Sequence, residues 1–155
     1  GYILREKLLL DRSTLEELSG ENVLAIATGR PRSEAEYPLQ HFQLRPFFPL
    51  VLTLDDCISE EKRIFEEEGK TVSLSKPDPF MLDAIAETYR KAVSGFYYIG
   101  DMPDDMLAAA RSRVGFKSIG ILISAADKFS LKKNLQRAGA DYIVEDFESL
   151  KTIIL

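Results

Sequence analysis

The chain has 155 residues, enough for one domain with one sizeable core. Its 45% hydrophobic and 29% charged residues exclude disorder or low complexity as the dominant state. The net charge is −5, whereas proteins that bind nucleic acids generally carry a surface rich in positive charge. The apolar runs fall far short of the ~20 residues that span a bilayer. A single cysteine, Cys57, permits no internal disulfide, so we expect a cytoplasmic protein. From the charge and the short apolar runs, we expect neither nucleic-acid nor membrane partners.

Short apolar segments alternate with amphipathic ones along the whole chain, which predicts an α/β fold. The apolar segments are continuous rather than alternating, as is typical of strands covered on both faces of a parallel sheet. We therefore expect a three-layer, Rossmann-like parallel sheet. The predicted strands are Val23–Thr28, Leu50–Leu54, Phe96–Ile99, Ser118–Ile123 and Tyr142–Val144.

The first helices have recognisable start and stop signals. Ser13 and Glu16 form a capping box, and Gly20 is placed to end that helix in a left-handed conformation. Pro38 is unfavourable inside a helix, so we expect it to begin a second short helix. The mixed-charge segment Ser59–Lys70 is interpreted as a solvated helix or excursion.

Prolines and glycines mark the later helices in the same way. Asp78 is the expected N-cap of a helix with Pro79 at its first position. Pro103 opens the next helix, which we expect to stop near Gly115. A further helix leads to Gly139, before the last strand.

The first predicted strand ends in a hydroxyl, a glycine and then a helix start. This places Thr28, Gly29 and Arg30 at the carboxyl end of a strand, where backbone amides favour an anion such as phosphate. The alternative is that Thr28 merely caps the following helix.

Two further strand or helix ends carry charged groups. Lys76 comes just before a proline-stiffened helix start, which can fix its ammonium near a phosphate, although single lysines are usually solvated. The strand ending at Gly100 leads into Asp101, Asp104 and Asp105. A few clustered carboxylates suit Mg²⁺, because this ion takes its remaining ligands from water and substrate phosphate. Helix capping is the alternative for Asp104 and Asp105, but Asp101 precedes the helix.

The order of a strand-end hydroxyl, a lysine and then Gly-Asp with a second Asp resembles the haloacid dehalogenase superfamily of phosphohydrolases. ATGR around Thr28 resembles its second motif, SKPDP its third and GDMPDD its fourth. The resemblance implies that Thr28 contacts the transferring phosphoryl group and that Lys76 stabilises the nucleophile and the phosphoryl oxygens. It also implies that Asp101 binds Mg²⁺ with support from Asp105. Arg30 has no fixed role in the family; it is a candidate for contact with substrate or for a surface pair.

The family's first motif, Asp-x-Asp after an apolar strand, is absent from this sequence. Asp11 is the nearest candidate nucleophile, but Ser13 stands where the second aspartate would be. We therefore interpret residues 1–155 as the carboxyl-side part of a larger protein whose first strand and cap lie upstream, with Tyr2–Leu10 returning from the cap. The core would then lack a strand in the middle of its sheet. We expect a second copy of the chain, in a homodimer, or a complementing N-terminal segment to supply that strand.

Three functions remain open at this point. The first is a Mg²⁺-dependent phosphatase that acts on a small phosphorylated metabolite through an aspartyl phosphate, with the nucleophile outside this chain. The second is a non-catalytic relative or fragment that binds phosphate, metal or a partner. The third is a receiver-type signalling domain, which is disfavoured because Lys76 precedes the Gly-Asp strand instead of following the fifth strand.

Overall fold

The computed structural model describes residues 12–155. The helices are α1 Arg12–Glu21, α2 Arg32–His41, α3 Leu54–Glu68, α4 Phe80–Tyr89, α5 Pro103–Arg111, α6 Lys128–Arg137 and α7 Phe147–Ile154, with a short 3₁₀ helix at Arg45–Phe47. The strands are β1 Ala25–Ala27, β2 Leu50–Leu52, β3 Tyr97–Gly100, β4 Lys117–Ile121 and β5 Tyr142–Val144. At least one helix separates each strand from the next, and every strand pair is parallel, which confirms the α/β class.

The strands form two separate blocks. The small block is the pair β1–β2, with Ile26 opposite Val51. The large block has the order β3–β4–β5, with Ile99 opposite Ile119. Within residues 12–155, no strand lies between β1 and β3. The described residues therefore leave a gap in the sheet between the strand that leads to Thr28 and the strand that leads to Asp101.

All five predicted strands are confirmed. The first two are shorter than predicted, the third is displaced by one residue, the fourth begins one residue earlier and ends two residues earlier, and the fifth has the predicted bounds. The second strand stops at Leu52 because Thr53 becomes the N-cap of α3. Asp56 completes a capping box there, accepting from the Thr53 amide at 2.8 Å. A helix start therefore takes Leu54 out of the strand.

The predicted ends of the first helix were wrong. The helix already includes Arg12, so Ser13 lies within the first turn and is not its N-cap. The helix continues through Gly20 to Glu21, and Gly20 lacks the left-handed conformation that it was expected to adopt. Leu15 and Leu18 are buried, so packing of this apolar face extends the helix beyond its local stop signal.

The prediction for Pro38 was also wrong, because this proline lies inside α2. Pro38 lies near the end of α2, which ends at His41. It removes one backbone hydrogen bond of the helix, its own amide's. Burial of Ala35 and Leu39 on either side of it favours one continuous helix.

The mixed-charge segment is confirmed as a helix, α3, which Gly69 ends in the left-handed conformation at φ 68°. Cys57 is its buried residue. In contrast, Ile58 and Phe65 are exposed.

The later helix signals are largely confirmed. Pro103 is the first residue of α5, as predicted. In α4 the cap position falls on Pro79, but Asp78 still accepts a hydrogen bond from the Phe80 amide at 2.9 Å. Positive φ values of 79° at Gly115 and 95° at Gly139 occur after α5 and α6.

The helices cover both faces of the sheet, which gives the expected three layers. On one face, a core cluster joins Ala27 of β1 to residues of α3, α4 and α5. On the other face, α1 and α2 cover the small block, whereas α7 packs on β4 and β5 through Leu150. No helix among residues 12–155 is long and apolar enough to cross a membrane.

Candidate functional site

The Lys76 side chain is fixed at the carboxyl ends of the strands. Its Nζ lies 2.5 Å from Oδ1 of Asp105 and 3.0 Å from the Tyr98 hydroxyl. Its side chain is 17% exposed and that of Asp105 is 6% exposed. Lys76 is thus held in a largely buried ion pair, and the alternative of a solvated lysine does not apply. The Lys76–Pro77 peptide bond is cis.

Asp105 is held from two directions. Its Oδ2 accepts from the Met102 amide at 3.1 Å and caps the first turn of α5. Gly100 lies directly against it: a Cβ at Gly100 would stand 2.3 Å from Asp105 Oδ2 and 2.5 Å from Asp105 Cβ. The glycine of the Gly-Asp motif is therefore needed because the carboxylate packs on the backbone there.

Tyr98 connects this cluster to the small block. Its hydroxyl donates to the Ala27 carbonyl at 2.8 Å, one residue before Thr28, and accepts from Lys76. Lys76 Nζ is therefore no more than about 6 Å from the Ala27 carbonyl oxygen. Tyr98 was not among the site residues predicted from the sequence. The available signal was a polar-tipped aromatic residue within a strand that runs into the acidic turn.

Burial and charge oppose each other in this cluster. Burial alone disfavours the ammonium of Lys76, but Tyr98 and Asp105 outweigh that cost, and the pKa of Lys76 is raised. Burial also raises the pKa of the Tyr98 hydroxyl, against the opposing charge of Lys76. Lys76 is therefore a fixed cation, and Tyr98 a neutral donor, at neutral pH.

The predicted phosphate-binding turn follows β1 directly. Thr28 is half-buried, whereas Gly29 and Arg30 are exposed. Thr28 Oγ1 accepts from the Arg30 amide at 3.2 Å, and α2 has Pro31 at its cap position without a side-chain cap. The hydroxyl therefore orders its own turn and is not the helix cap. A Cβ at Gly29 would meet nothing within 4 Å, so packing does not require a glycine there.

The two predicted metal ligands differ in their surroundings. Asp101 is exposed at the end of β3, whereas Asp105 is buried against Lys76. In the part of the chain that the structure describes, no group of three or more His, Cys, Asp or Glu side chains could hold a metal ion. Asp101 and Asp104 are both exposed in this turn. If Asp101 binds a magnesium ion, the remaining ligands would have to be waters, phosphate or further oxygens.

A cavity of about 790 Å³ lies between the two blocks of strands, β1–β2 and β3–β4–β5, in the part of the chain that the structure describes. We call this cavity the central slot. The β1 residues Ala25–Ala27 line one side and the β3 residues Tyr97–Ile99 line the other. Leu18 of α1 and Leu150 of α7 line one face, and Leu82 of α4 lies on the opposite face. The missing strand was expected at this position; whether residues outside 12–155 occupy it stays a prediction.

Asp11 and the segment Tyr2–Leu10, which the sequence analysis interpreted as a candidate nucleophile and a return from a cap, lie outside the described residues.

The fold is similar to several solved structures. A haloacid dehalogenase-superfamily hydrolase from Geobacter sulfurreducens matches with a TM-score of 0.64 and 20% identity, over 93% of this chain and 54% of its own. A hydrolase from Pseudomonas syringae matches with a TM-score of 0.65 and 29% identity, over 90% of this chain and 55% of its own. The D,D-heptose 1,7-bisphosphate phosphatase from B. bronchiseptica, solved with magnesium and phosphate, has a TM-score of 0.60 and 15% identity, over 94% and 84%.

This chain thus spans little more than half the length of the first two proteins. No curated protein matches it. Residues 11–121 match the haloacid dehalogenase-like hydrolase family, and this range contains the turn after β1, the Lys76 loop and the acidic turn after β3. The chain therefore belongs to the haloacid dehalogenase-like hydrolases.

Proposed function

We propose that this chain is the carboxyl-side part of a Mg²⁺-dependent phosphohydrolase for small phosphomonoesters. The reaction passes through an aspartyl phosphate whose nucleophile lies outside residues 1–155. One observation carries the proposal: the Tyr98 hydroxyl links Lys76 to the last residue of β1, beside Thr28. This contact supports the proposal that the fixed cation and the turn after β1 act on the same phosphoryl group.

The turn after β1 would bind the phosphoryl group. The Thr28 hydroxyl accepts one hydrogen bond from its own turn, so its proton remains to be donated to a phosphoryl oxygen. Gly29 leaves the backbone open to close approach of a ligand, and exposed Arg30 lies where it can contact the rest of the substrate.

Lys76 would neutralise charge on the transferring group. It is held by Asp105 and Tyr98 before substrate arrives, so little reorganisation is needed as charge develops. Asp105 positions Lys76, and Tyr98 positions both relative to β1.

Asp101 would hold the magnesium ion, with Asp105 nearby on α5. Its exposed carboxylate at a strand end is the kind of oxygen ligand that Mg²⁺ takes together with waters and substrate phosphate. When bound, the ion would supply charge neutralisation at the phosphoryl oxygens. A fold neighbour that holds magnesium and phosphate is consistent with this proposal.

The test is hydrolysis of p-nitrophenyl phosphate by this chain together with the polypeptide that supplies the nucleophile. We expect activity with Mg²⁺ and none in EDTA. Lys76→Ala should lower kcat by roughly 100-fold or more, since one preorganised contact with the transition state is lost. The matched control is Lys117→Ala, at the exposed start of β4, which should change the rate little. Equal rates in EDTA, or a loss below about threefold for Lys76→Ala, would contradict the proposal.

The second candidate is a non-catalytic binding protein with the same fold. It is favoured by the lack of a three-residue metal-binding cluster within residues 12–155. Phosphate binding without hydrolysis in the complemented protein would support this alternative. Normal turnover by residues 1–155 alone would contradict both and return Asp11 as the nucleophile.

A further inference from the structure

The first residues of helix α3 contact the turn after β1. The Leu54 amide donates to the Arg30 carbonyl at 3.0 Å. Oδ1 of Asp55 accepts from the Arg32 amide at 3.0 Å, in the first turn of α2, which has no side-chain cap of its own. Oδ2 of Asp56 lies 2.7 Å from the Arg32 guanidinium. These contacts fix the end of the turn that the proposed function assigns to the phosphoryl group.

Two further residues of α3 contact the loop that leads to Lys76. Oε1 of Glu61 accepts from the Leu74 amide at 3.0 Å. The thiol of Cys57 donates to the Leu74 carbonyl at 3.5 Å. Burial, with the charges of Glu61 and other carboxylates, raises the pKa of this thiol to about 11, so it keeps its proton at neutral pH. One helix therefore satisfies both polar backbone groups of Leu74.

The loop has no regular structure of its own. Between Gly69, which ends α3, and Lys76 the chain forms neither helix nor strand. Its position therefore depends on contacts with other parts of the fold. Leu74 lies two residues before Lys76 and packs against the core cluster that joins the two blocks. Glu61 thus holds the backbone just before Lys76, whereas the buried ion pair holds the ammonium.

Both sets of contacts belong to one short stretch of a regular helix. Asp55 and Glu61 are separated by about 9 Å along the axis of α3, at ~1.5 Å per residue. The helix has 15 residues and begins with a capping box, so this stretch moves as one body. A displacement of α3 would therefore move the turn after β1 and the Lys76 loop together.

We infer that Asp55 and Glu61 are positioning residues of the site. Asp55 orients the turn after β1, Glu61 orients the backbone before Lys76, and α3 sets the distance between the two segments. The consequences for turnover rest on the proposed function, whereas the hold on the two backbone segments does not. The sequence analysis interpreted most of this helix as a solvated, mixed-charge segment. Glu60 fits that description, because it pairs with Arg63 on the surface.

Amide hydrogen exchange on the 155-residue chain tests both contacts without metal, substrate or a second polypeptide. Glu61→Ala should speed exchange at the Leu74 amide by about fivefold or more, relative to core amides of β4, and leave the Arg32 amide unchanged. Asp55→Ala should do the reverse. Glu60→Ala is the matched control and should change neither amide. Unchanged exchange at Leu74 in Glu61→Ala, or at Arg32 in Asp55→Ala, would overturn the inference.

Two conservative variants of Glu61 separate the reach of the side chain from its charge. Glu61→Gln keeps an acceptor oxygen at the same reach and should leave exchange at the Leu74 amide within about twofold of the wild type. Glu61→Asp keeps the charge but is one methylene shorter, so it should resemble Glu61→Ala. The opposite order, with protection kept by Glu61→Asp and lost in Glu61→Gln, would overturn the inference. This comparison also decides the question if Glu61→Ala does not fold.

Hydrolysis of p-nitrophenyl phosphate by the complemented protein provides a readout that a merely structural role would not move. Glu61→Ala should lower kcat about fivefold and change KM less than about twofold, because Lys76 acts on charge that develops in the transition state. Glu61→Gln should restore kcat. Asp55→Ala should instead raise KM, because the turn also binds the phosphate of the bound substrate. Glu60→Ala should leave both constants unchanged, and a wild-type kcat for Glu61→Ala would overturn the inference.

The two experiments distinguish this inference from the proposed function. If the wild-type complemented protein does not hydrolyse phosphate but the exchange pattern is as expected, the proposed function fails and the positioning of the two segments stands. If the wild type is active and Glu61→Ala has normal exchange at Leu74 and normal kcat, the inference fails and the proposed function stands.

Discussion

The small and large blocks each carry part of the candidate site, but they hold their residues in different ways. In the large block, Asp105 is buried and holds Lys76 at 2.5 Å. In the small block, Gly29 and Arg30 are exposed on a turn. The large block therefore contains the prearranged charges, and the small block contains the open side of the site, where a ligand can enter.

The two blocks are joined more firmly on one face of the sheet than on the other. A shared core cluster brings Ala27 and Cys57 together with α4 and α5. On the other face, the core of α1 and α2 is separate from that of α7. There, the surface ion pair of Glu17 with Lys151, at 3.2 Å, links α1 to α7. This difference teaches that the core on one face alone can hold Lys76 and Asp105 in place relative to β1.

The largest expected effect on stability tests the packing of Asp105 against β3 in the large block. Gly100→Ala forces a Cβ into the Asp105 side chain and should lower the free energy of unfolding by about 2–3 kcal/mol, as overpacking does. Gly95→Ala is the control, because a Cβ there meets nothing within 4 Å. Urea unfolding measures both. A Gly100→Ala protein as stable as the Gly95→Ala protein would show that Asp105 is not packed against β3.

A smaller effect tests the connection between the blocks. Tyr98→Phe removes the hydroxyl that joins Ala27 to Lys76 and should cost about 1 kcal/mol, as expected for one net hydrogen bond. Tyr142→Phe, at an exposed position on β5, should change stability by less than ~0.5 kcal/mol. Urea unfolding compares the two. If both variants have the wild-type midpoint, the hydroxyl does not stabilise the junction.

A third effect is absent at neutral pH, appears only as pH rises, and concerns the shared core. Burial, with help from Glu61 and other carboxylates, raises the pKa of the Cys57 thiol from 9.0 to about 11. Between these values the unfolded thiol ionises while the folded thiol keeps its proton, so stability falls as pH rises. Urea unfolding at pH 8 to 11 should therefore show a steeper decline for the wild type than for Cys57→Ala. Parallel declines would mean that water reaches the thiol.

Local signals in the sequence predicted much of the fold. Five apolar runs predicted all five strands, and Pro103 and Gly139 mark real helix ends because their backbone preferences are strong. The boundaries at Ser13, Gly20 and Pro38 failed, since burial of apolar faces in α1 and α2 outweighs a local preference of at most a few kcal/mol.

By itself, the sequence determined which chemical groups stand at strand and helix ends: Thr28, Lys76, Asp101 and Asp105. It could not determine which of them touch. The pairing of Lys76 with Asp105, 29 residues apart, and of Tyr98 with Ala27, 71 residues apart, was decided by the tertiary structure. Contacts over such separations depend on how β1 and β3 are placed across the slot, and no local preference of the backbone specifies that placement.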